Sequence, residues 1–331
     1  MKEELFVSGR NIPNIDPVLH IWHWQIPLYL FLGGLAAGLI FFATYFFITG
    51  KTDKYNVAVK ISPIIAPIAI IIGLLALLLD LKHTQFFWQL YTTIRFESPM
   101  SWGAWTLGIV TPLSIIWPLL YLDDIIDYFD GKCKIITKFL KWVDKIIIGK
   151  CHIIKWIIKI ARKYQKIMAW ILLLLSIILG VYTGILLSAF NARPLWNTSI
   201  LGPLFLVSGV STGVAVIMWM ARDHFEKISF SKIDLMLVAI ELFFIIHMFM
   251  GYLASSEVQQ EAAALFLGGE FTAVFWGFFV GIGLVLPALL ELMELFGYKI
   301  PIAVPAFLIL LGGLVFRFIM VEAGQLTRYL Y

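Results

Sequence analysis

The sequence predicts an all-α integral membrane protein with eight transmembrane helices in two four-helix bundles. Of its 331 residues, 61% are hydrophobic and only 14% are charged. A soluble domain has about 45–50% apolar and about 25% charged residues. The mean hydropathy of +0.91 also excludes a water-soluble fold. The apolar residues are, moreover, gathered in long runs separated by charged segments.

Each run holds about 20 apolar residues, the number that a helix needs to cross the hydrocarbon. We number the predicted spans 1 to 8 and place them at residues 26–48, 60–82, 100–122, 167–190, 201–221, 233–255, 270–296 and 302–322. The first 20 residues are mixed polar and show no signal peptide, so span 1 is expected to direct insertion.

Lysine and arginine are distributed unequally along the sequence. Most of the 25 basic residues lie in the segments that follow spans 1, 3, 5 and 7. The positive-inside rule therefore places those segments in the cytosol and both termini on the outer face of the cytoplasmic membrane. Because the positive charge is sorted by membrane side, a nucleic-acid partner is not expected.

Residues 123–166 form the one long segment between spans. They alternate lysine with isoleucine, tryptophan and phenylalanine, and their apolar residues recur every three or four positions. This pattern predicts one or two amphipathic helices on the cytoplasmic surface of the lipid bilayer. A docking surface for a cytosolic partner is the alternative. Cys133 and Cys151 lie in this segment and are expected to be unpaired thiols.

The two halves of the sequence share short motifs. Spans 1 and 5 each carry a pair of glycines four residues apart, and spans 3 and 7 each contain a Trp-Gly pair followed by a proline. The matches lie about 175 residues apart, which predicts an internal repeat. Residues 1–122 and 167–190 would form the first bundle, and residues 191–331 the second. The alternative is that glycine and tryptophan are simply common in membrane helices.

Polar residues of three spans gather in the outer half of the first bundle. They are His23 and Gln25 before span 1, Asp80 and His83 at the end of span 2, and Tyr182 and Thr183 in span 4. A quinone head group needs an apolar cleft with two or three hydrogen-bond donors and a route for two protons. The sequence therefore indicates a quinone site here. The alternative is that each histidine is merely solvated and the tyrosine packs between helices.

The second bundle contains four ionisable residues inside its spans, where charge is costly. Glu241 and Glu291 lie in the inner half, and His247 and Arg317 lie in the outer half. One interpretation is that Arg317 pairs with a glutamate or with His247 and holds the helices together. The other is a proton path from the cytosol towards the quinone site.

Redox cofactors are not expected in this protein. A haem needs two histidines that face each other inside the membrane, an iron–sulfur cluster needs grouped cysteines, and a metal needs a characteristic ligand spacing. The sequence has none of these patterns. Haem, iron–sulfur clusters and metals should therefore reside on partner subunits.

Several segments, in order along the sequence, resemble one known family. They are YLFLGGLAAG, the Asp80-Leu81 pair, SPMSWGAW, YTGILLS, RPLWNTSILGPLFLVSGVSTG and GGLVFRFIMVEAGQ. The resemblance is to the membrane subunits of polysulfide reductase and of the formate-dependent nitrite reductase system, the NrfD family. It implies a menaquinone or other quinone site near the outer face, a ferredoxin-like iron–sulfur subunit docked outside, and a molybdopterin catalytic subunit beyond it.

The resemblance also implies roles for single residues. Tyr182 matches the family's pocket tyrosine. Where family members place an asparagine and then a histidine, this protein has Ile26 and Tyr29, so His23, Gln25 and Tyr29 are all candidate donors on span 1. Asp80 is kept, but the Gly-x-Pro that usually follows Asp-Leu is replaced by Lys82, His83 and Thr84. Asp80 or His83 would relay protons.

The sequence thus predicts a quinone-reactive membrane anchor that is not catalytic on its own and exchanges electrons between the quinone pool and its iron–sulfur partner. A secondary transporter and a purely structural anchor are the alternatives. Polar residues that gather at the outer edge, instead of the membrane midplane, argue against a transporter.

Overall fold

The computed structural model describes residues 22–148 and 151–328, and over these ranges the protein is helical with no β-strand. Within these ranges, eight helices are long and apolar enough to cross a membrane. They are α1 (Gln25–Ile48), α2 (Val57–Asp80), α3 (Pro99–Leu119), α4 (Gln165–Ser188), α5 (Leu201–Met220), α6 (His224–Leu253), α7 (Ala273–Leu295) and α8 (Ala303–Leu326). The predicted fold class and number of spans are confirmed.

Helix boundaries agree with the predicted spans to within a few residues, except in α6. That helix begins at His224, nine residues before the predicted start at 233, and is 30 residues long. Hydropathy detects only the part of a helix that lies in hydrocarbon, so it missed the polar first turns. These turns are held in place by Glu226, whose carboxylate accepts hydrogen bonds from the backbone N–H groups of Val57 and Ala58 at the start of α2.

We call the end of the molecule at which α1 begins the outer end, and the opposite end, which carries most of the lysines, the basic end. The two names follow the orientation expected from charge. Residues 1–21 and 329–331 lie outside the described residues, so the predicted side of the termini stays a prediction.

Helices α1 and α5 form the centre of the molecule. Each is 83% buried in its most apolar stretch, more than any other spanning helix. They meet along a seam of four glycines, Gly34 and Gly38 on α1 and Gly209 and Gly213 on α5. A Cβ atom on Gly38 would lie 2.7 Å from the Gly209 carbonyl oxygen, and one on Gly209 would lie 2.8 Å from Cα of Gly34. The glycine pairs predicted to allow close packing therefore pack against each other.

The remaining helices surround this seam. Helix α1 packs against α2 and α4, α3 packs against α4, and α5 packs against α6 and α8, while α7 lies mainly against α8. Helix α4 also contacts α5, and α8 contacts α1. The division into two bundles and the internal repeat stay predictions.

Shorter helices connect the spans. On the outer side they are Thr84–Phe86, Gln89–Thr92 and Glu257–Ala264, and on the basic side Leu122–Phe129, Lys134–Val143, Asp144–Ile148 and His152–Lys163. Residues 123–166 thus hold more helices than the one or two expected. Gly131 explains one break, because its φ of +78° turns the backbone between the first two. Cys133 and Cys151 are free, as predicted.

Candidate functional site

A cluster of tyrosines occupies the outer half of the molecule. Tyr29 of α1 and Tyr182 of α4 are 3% and 8% exposed, and their side chains lie close enough to interact with each other. Tyr91, in the short helix Gln89–Thr92, is close enough to interact electrostatically with both. Partial burial raises the pKa of the Tyr91 phenol, so Tyr91 stays protonated and can donate a hydrogen bond at neutral pH.

Glycines on neighbouring helices provide the space for these rings. A Cβ atom on Gly103 of α3 would overlap the ring and hydroxyl of Tyr182. A Cβ on Gly73 of α2 would lie 3.5 Å from Cδ2 of Tyr29, and one on Gly108 would lie 3.8 Å from Cδ1 of Tyr91. The glycine of the Trp-Gly motif in span 3 therefore leaves space for the ring of Tyr182.

A cleft leads from the lipid-facing surface to Tyr182. Its volume is about 480 Å³, and it lies between the outer ends of α3 and α4. The lining is almost entirely apolar, with Trp102, Ile178 and Val181 beside Tyr182, and Glu97 at the start of α3. The polar residues of the sequence predict a crevice among spans 1, 2 and 4, whereas the opening that reaches Tyr182 runs between α3 and α4.

Three of the predicted residues lie near the outer end of α1 and α2. Gln25 precedes Tyr29 by one helical turn, so the two share a face of α1. Its side-chain oxygen is buried, and it has no hydrogen-bond partner among the described residues. His23 is exposed and interacts electrostatically with the half-buried Asp80.

His83 and Thr183 are placed differently. His83 is exposed and lines a separate outer cavity of about 320 Å³, together with Arg95 and Ser98. Thr183 is buried, its hydroxyl donates to the Gly180 carbonyl at 2.7 Å, and its methyl group packs against Gly33 of α1. Thr183 therefore joins α4 to α1 and does not present its hydroxyl to the cleft.

Arg317 of α8 is fully buried beside the seam of α1 and α5. Its Nη1 donates to Oγ of Ser208 at 2.5 Å and to the Gly313 carbonyl at 3.0 Å, and its Nη2 donates to the Phe205 carbonyl at 3.2 Å. Glu241 of α6 lies close enough to attract the guanidinium. No ion pair within 4.0 Å forms between these two described residues, so the predicted Arg317–Glu pairing is a longer-range attraction.

Buried carboxyl groups continue from Glu241 towards the basic end. Asp234 of α6 interacts electrostatically with both Glu241 and Glu291 of α7, and Ser211 donates to its Oδ1 at 2.7 Å. Both carboxylate oxygens of Glu241 and of Glu291 are buried, and in the part of the chain that the structure describes none of them has a hydrogen-bond partner. Burying an ionised carboxylate in a membrane is energetically costly, so buried carboxyl groups there usually serve a function, such as holding a proton.

His247 does not join this group. It is exposed on the lipid-facing side of α6, its Nδ1 is bonded to the Phe243 carbonyl at 2.8 Å, and its ring packs on Phe243 at 3.9 Å. The predicted depth in the span is compatible with this position. The direction in which the side chain points was not predictable from depth.

Three residues at or near the candidate site were not predicted from the sequence. Tyr91 and Glu97 lie in the outer connection between α2 and α3, where no hydrophobic period marks them. Asp234 could have been found, because it is an ionisable residue inside a helix that continues into the membrane. It was missed because the predicted span 6 began at 233 and Asp234 therefore looked like a boundary residue.

Comparison with known proteins decides the family. The profile of the family described as "Polysulphide reductase, NrfD" matches residues 13–328. The protein belongs to this family. Protein NrfD of Escherichia coli is 30% identical over 320 residues, covering 93% of this sequence and 96% of that protein. The C subunit of polysulfide reductase from Wolinella succinogenes is 30% identical, covering 92% and 94%, and the NrfD homolog of Haemophilus influenzae is 28% identical, covering 96% and 98%.

Membership in the NrfD family and eight apolar helices together make this a multi-pass membrane protein of an oxidoreductase family. The resemblance first noted in short motifs extends over almost the whole sequence. Among the described residues no group of three or more histidine, cysteine or carboxylate side chains is arranged to hold a metal ion.

Proposed function

We propose that this NrfD-family protein is the quinone-binding membrane subunit of a respiratory oxidoreductase complex, and that quinone exchanges electrons and protons at Tyr29 and Tyr182. One observation carries the proposal: Tyr182 lies at the inner wall of an apolar cleft that opens to lipid, and the buried Tyr29 of α1 lies within interaction range behind it. Such a cleft admits an isoprenoid tail, and the phenols supply donors for a quinone carbonyl.

Each residue near the cleft has a defined task in this proposal. Tyr182 donates a hydrogen bond to one carbonyl of the quinone, and Tyr29 supports it through the interaction between their side chains. Gln25, with its unused buried oxygen one turn away, accepts a hydrogen bond from the hydroxyl of a quinol or donates through its amide to the second carbonyl. A quinone head group, menaquinone in the first instance, would thus contact only the outer half of the membrane.

Protons follow two routes in the proposal. Near the outer end, Asp80 and the neighbouring His23, with His83 further out, relay protons between the quinone and the outer solution. From the basic end, Glu291, Asp234, Glu241 and Arg317 form a buried series of polar groups that a proton could follow towards the seam beside α1. The lipid-facing position of His247 gives it no place in either route.

Electrons would leave or enter at the outer end. The proposed partner there is a ferredoxin-like iron–sulfur subunit, which passes electrons to or from a molybdopterin catalytic subunit. The name of the Wolinella relative denotes one lettered component of polysulfide reductase, which supports a multi-subunit assembly. The exposed aromatic side chains of the α2–α3 connection, such as Phe86 and Trp88 at 47% and 50% exposure, are available to contact such a partner.

The test is a Tyr182→Phe variant in the assembled complex, with Tyr298→Phe as control. Tyr298 is 62% exposed and lies in the connection between α7 and α8, at the basic end. We expect quinol-linked turnover to fall at least about tenfold in Tyr182→Phe, as for loss of one hydrogen bond of about 1.5 kcal/mol, and to be unchanged in the control. Full turnover in an assembled Tyr182→Phe complex would remove the tyrosine pair from the mechanism.

A further inference from the structure

A further cavity crosses the α1–α5 seam near the basic end. Its volume is about 490 Å³, and its walls come from α1, α4, α5 and α6, with Phe41, Tyr45, Leu206 and Met236 among the lining side chains. The cavity is a groove that faces lipid. Nothing in the proposed quinone reaction uses it.

The groove is long enough to hold an acyl chain. It extends from Lys51, just after α1, to Leu206, which lies 14 residues before the last residue of α5. At a rise of about 1.5 Å per residue, about 20 Å of helix separates Leu206 from the basic end of α5. The groove therefore runs from the membrane boundary to the middle of the bilayer.

Two exposed lysines lie near the boundary end of the groove. Lys51 is exposed and lines it directly. Lys232 is exposed on α6 and precedes Met236 by one turn, so it lies on the face of α6 that forms a wall. Within the described residues neither lysine forms an ion pair, since the ion pairs found there join Lys60 to Asp124 and Lys141 to Asp130.

We infer that this groove binds one anionic phospholipid, whose phosphate lies between Lys51 and Lys232 and whose acyl chain lies along Tyr45 and Leu206. The charge of the lysines is complementary to that of an anionic head group. Two exposed ammonium groups attract an anionic head group, and the apolar length below them accepts an acyl chain. A quinone has no charge for them, and a zwitterionic lipid has no net charge. This lipid would bridge α1, α5 and α6 and stabilise the central seam.

The test uses the full-length protein, purified in detergent and washed free of lipid. Equal amounts of phosphatidylglycerol and phosphatidylcholine with identical acyl chains are added, and the bound lipid is identified by native mass spectrometry. We expect a single tightly held phosphatidylglycerol, with a preference of about fivefold for each lysine. Lys51→Gln combined with Lys232→Gln should lower that preference at least about tenfold. Lys299→Gln, also at the basic end but outside the groove, should not change it.

A second variant tests the apolar part. Val207→Trp fills the groove with an indole and should abolish the bound lipid of either kind, while the midpoint of thermal unfolding in excess detergent checks that the protein is folded. Equal retention of the two lipids by the unmodified protein would overturn the inference. So would an unchanged preference after both lysines are replaced, or displacement of the phospholipid by added menaquinone.

Discussion

The ring of Tyr182 lies against the backbone of Gly103, on a different helix, so closely that a single added methyl group would overlap it. Tyr182 also interacts with Tyr29 of α1. Contacts with both α3 and α1 therefore restrict the position of the Tyr182 ring. A donor restricted in this way would need little reorientation to bind the proposed quinone.

Replacing Gly103 with alanine should therefore impair turnover without removing any polar group. The added methyl group must push Tyr182 aside, and overpacking of this kind costs about 1–3 kcal/mol. We expect quinol-linked turnover to fall at least about fivefold in the assembled complex. The matched control is Gly277→Ala in the other Trp-Gly pair, where nothing lies within 4 Å of the new methyl group. Equal effects of the two changes would show that space under Tyr182 is unimportant.

If the hydroxyl groups of Tyr29 and Tyr182 act together, the effects of replacing them should be non-additive. Each Tyr→Phe change removes one hydroxyl group and with it the interaction between the two. The second change therefore costs less than it does alone. We expect a coupling of about 0.5–3 kcal/mol between Tyr29→Phe and Tyr182→Phe in the ratio kcat/KM for quinol. Strictly additive losses would mean that the two hydroxyls act on the quinone independently.

The glycine seam should be sensitive to a single methyl group. In Gly38→Ala the new Cβ would lie 2.7 Å from the carbonyl oxygen of Gly209 and 2.9 Å from Cα of Val210. Both are backbone atoms, which cannot move without shifting α5. We expect the midpoint of thermal unfolding in detergent to fall by several degrees, for a loss of about 1–3 kcal/mol. Gly251→Ala in α6, with open space around it, serves as the control and should leave the midpoint unchanged or raise it slightly.

Arg317 and Glu241 should be energetically coupled although no ion pair joins them. Replacing Arg317 by methionine removes the positive charge that attracts the buried carboxyl group of Glu241, so we expect the midpoint of thermal unfolding to fall. Adding Glu241→Gln to that variant removes the uncompensated charge and should restore part of the lost thermal stability. If the double variant is as unstable as the sum of the two single ones, the attraction between these groups is negligible.

Hydropathy predicts the helices well because a spanning helix needs a fixed length of apolar sequence, which is a one-dimensional property. It fails for the first turns of α6, where the helix leaves the hydrocarbon and Glu226 bonds to α2. The close approach of Gly34 and Gly38 to another helix was also predictable, since small residues four apart permit it. Which helix they meet was not, because that depends on the packing of all eight.

The site shows the same limit. Tyr182 and Tyr29 could be named from the sequence, but their interaction and the role of Gly103 depend on contacts between helices distant in sequence. Tyr91 could not be predicted, because the helix that holds it has only four residues and shows no hydrophobic period in the sequence. For His247 the sequence predicts a depth in the membrane that fits the structure. Whether a histidine faces lipid or protein depends on its position around the helix axis, and the His247 ring is on the exposed face of α6.

At the seam of α1 and α5, backbone meets backbone with no layer of side chains between. Two surfaces in such contact have no side chains to repack when one helix tilts, so a rocking motion would have to pull the helices apart and open a void between them. Alternating exposure of a carried solute to the two sides, as transporters require, is therefore poorly suited to this scaffold. A rigid frame suits electron transfer better, because the distance between donor and acceptor stays constant and only protons need to move through it.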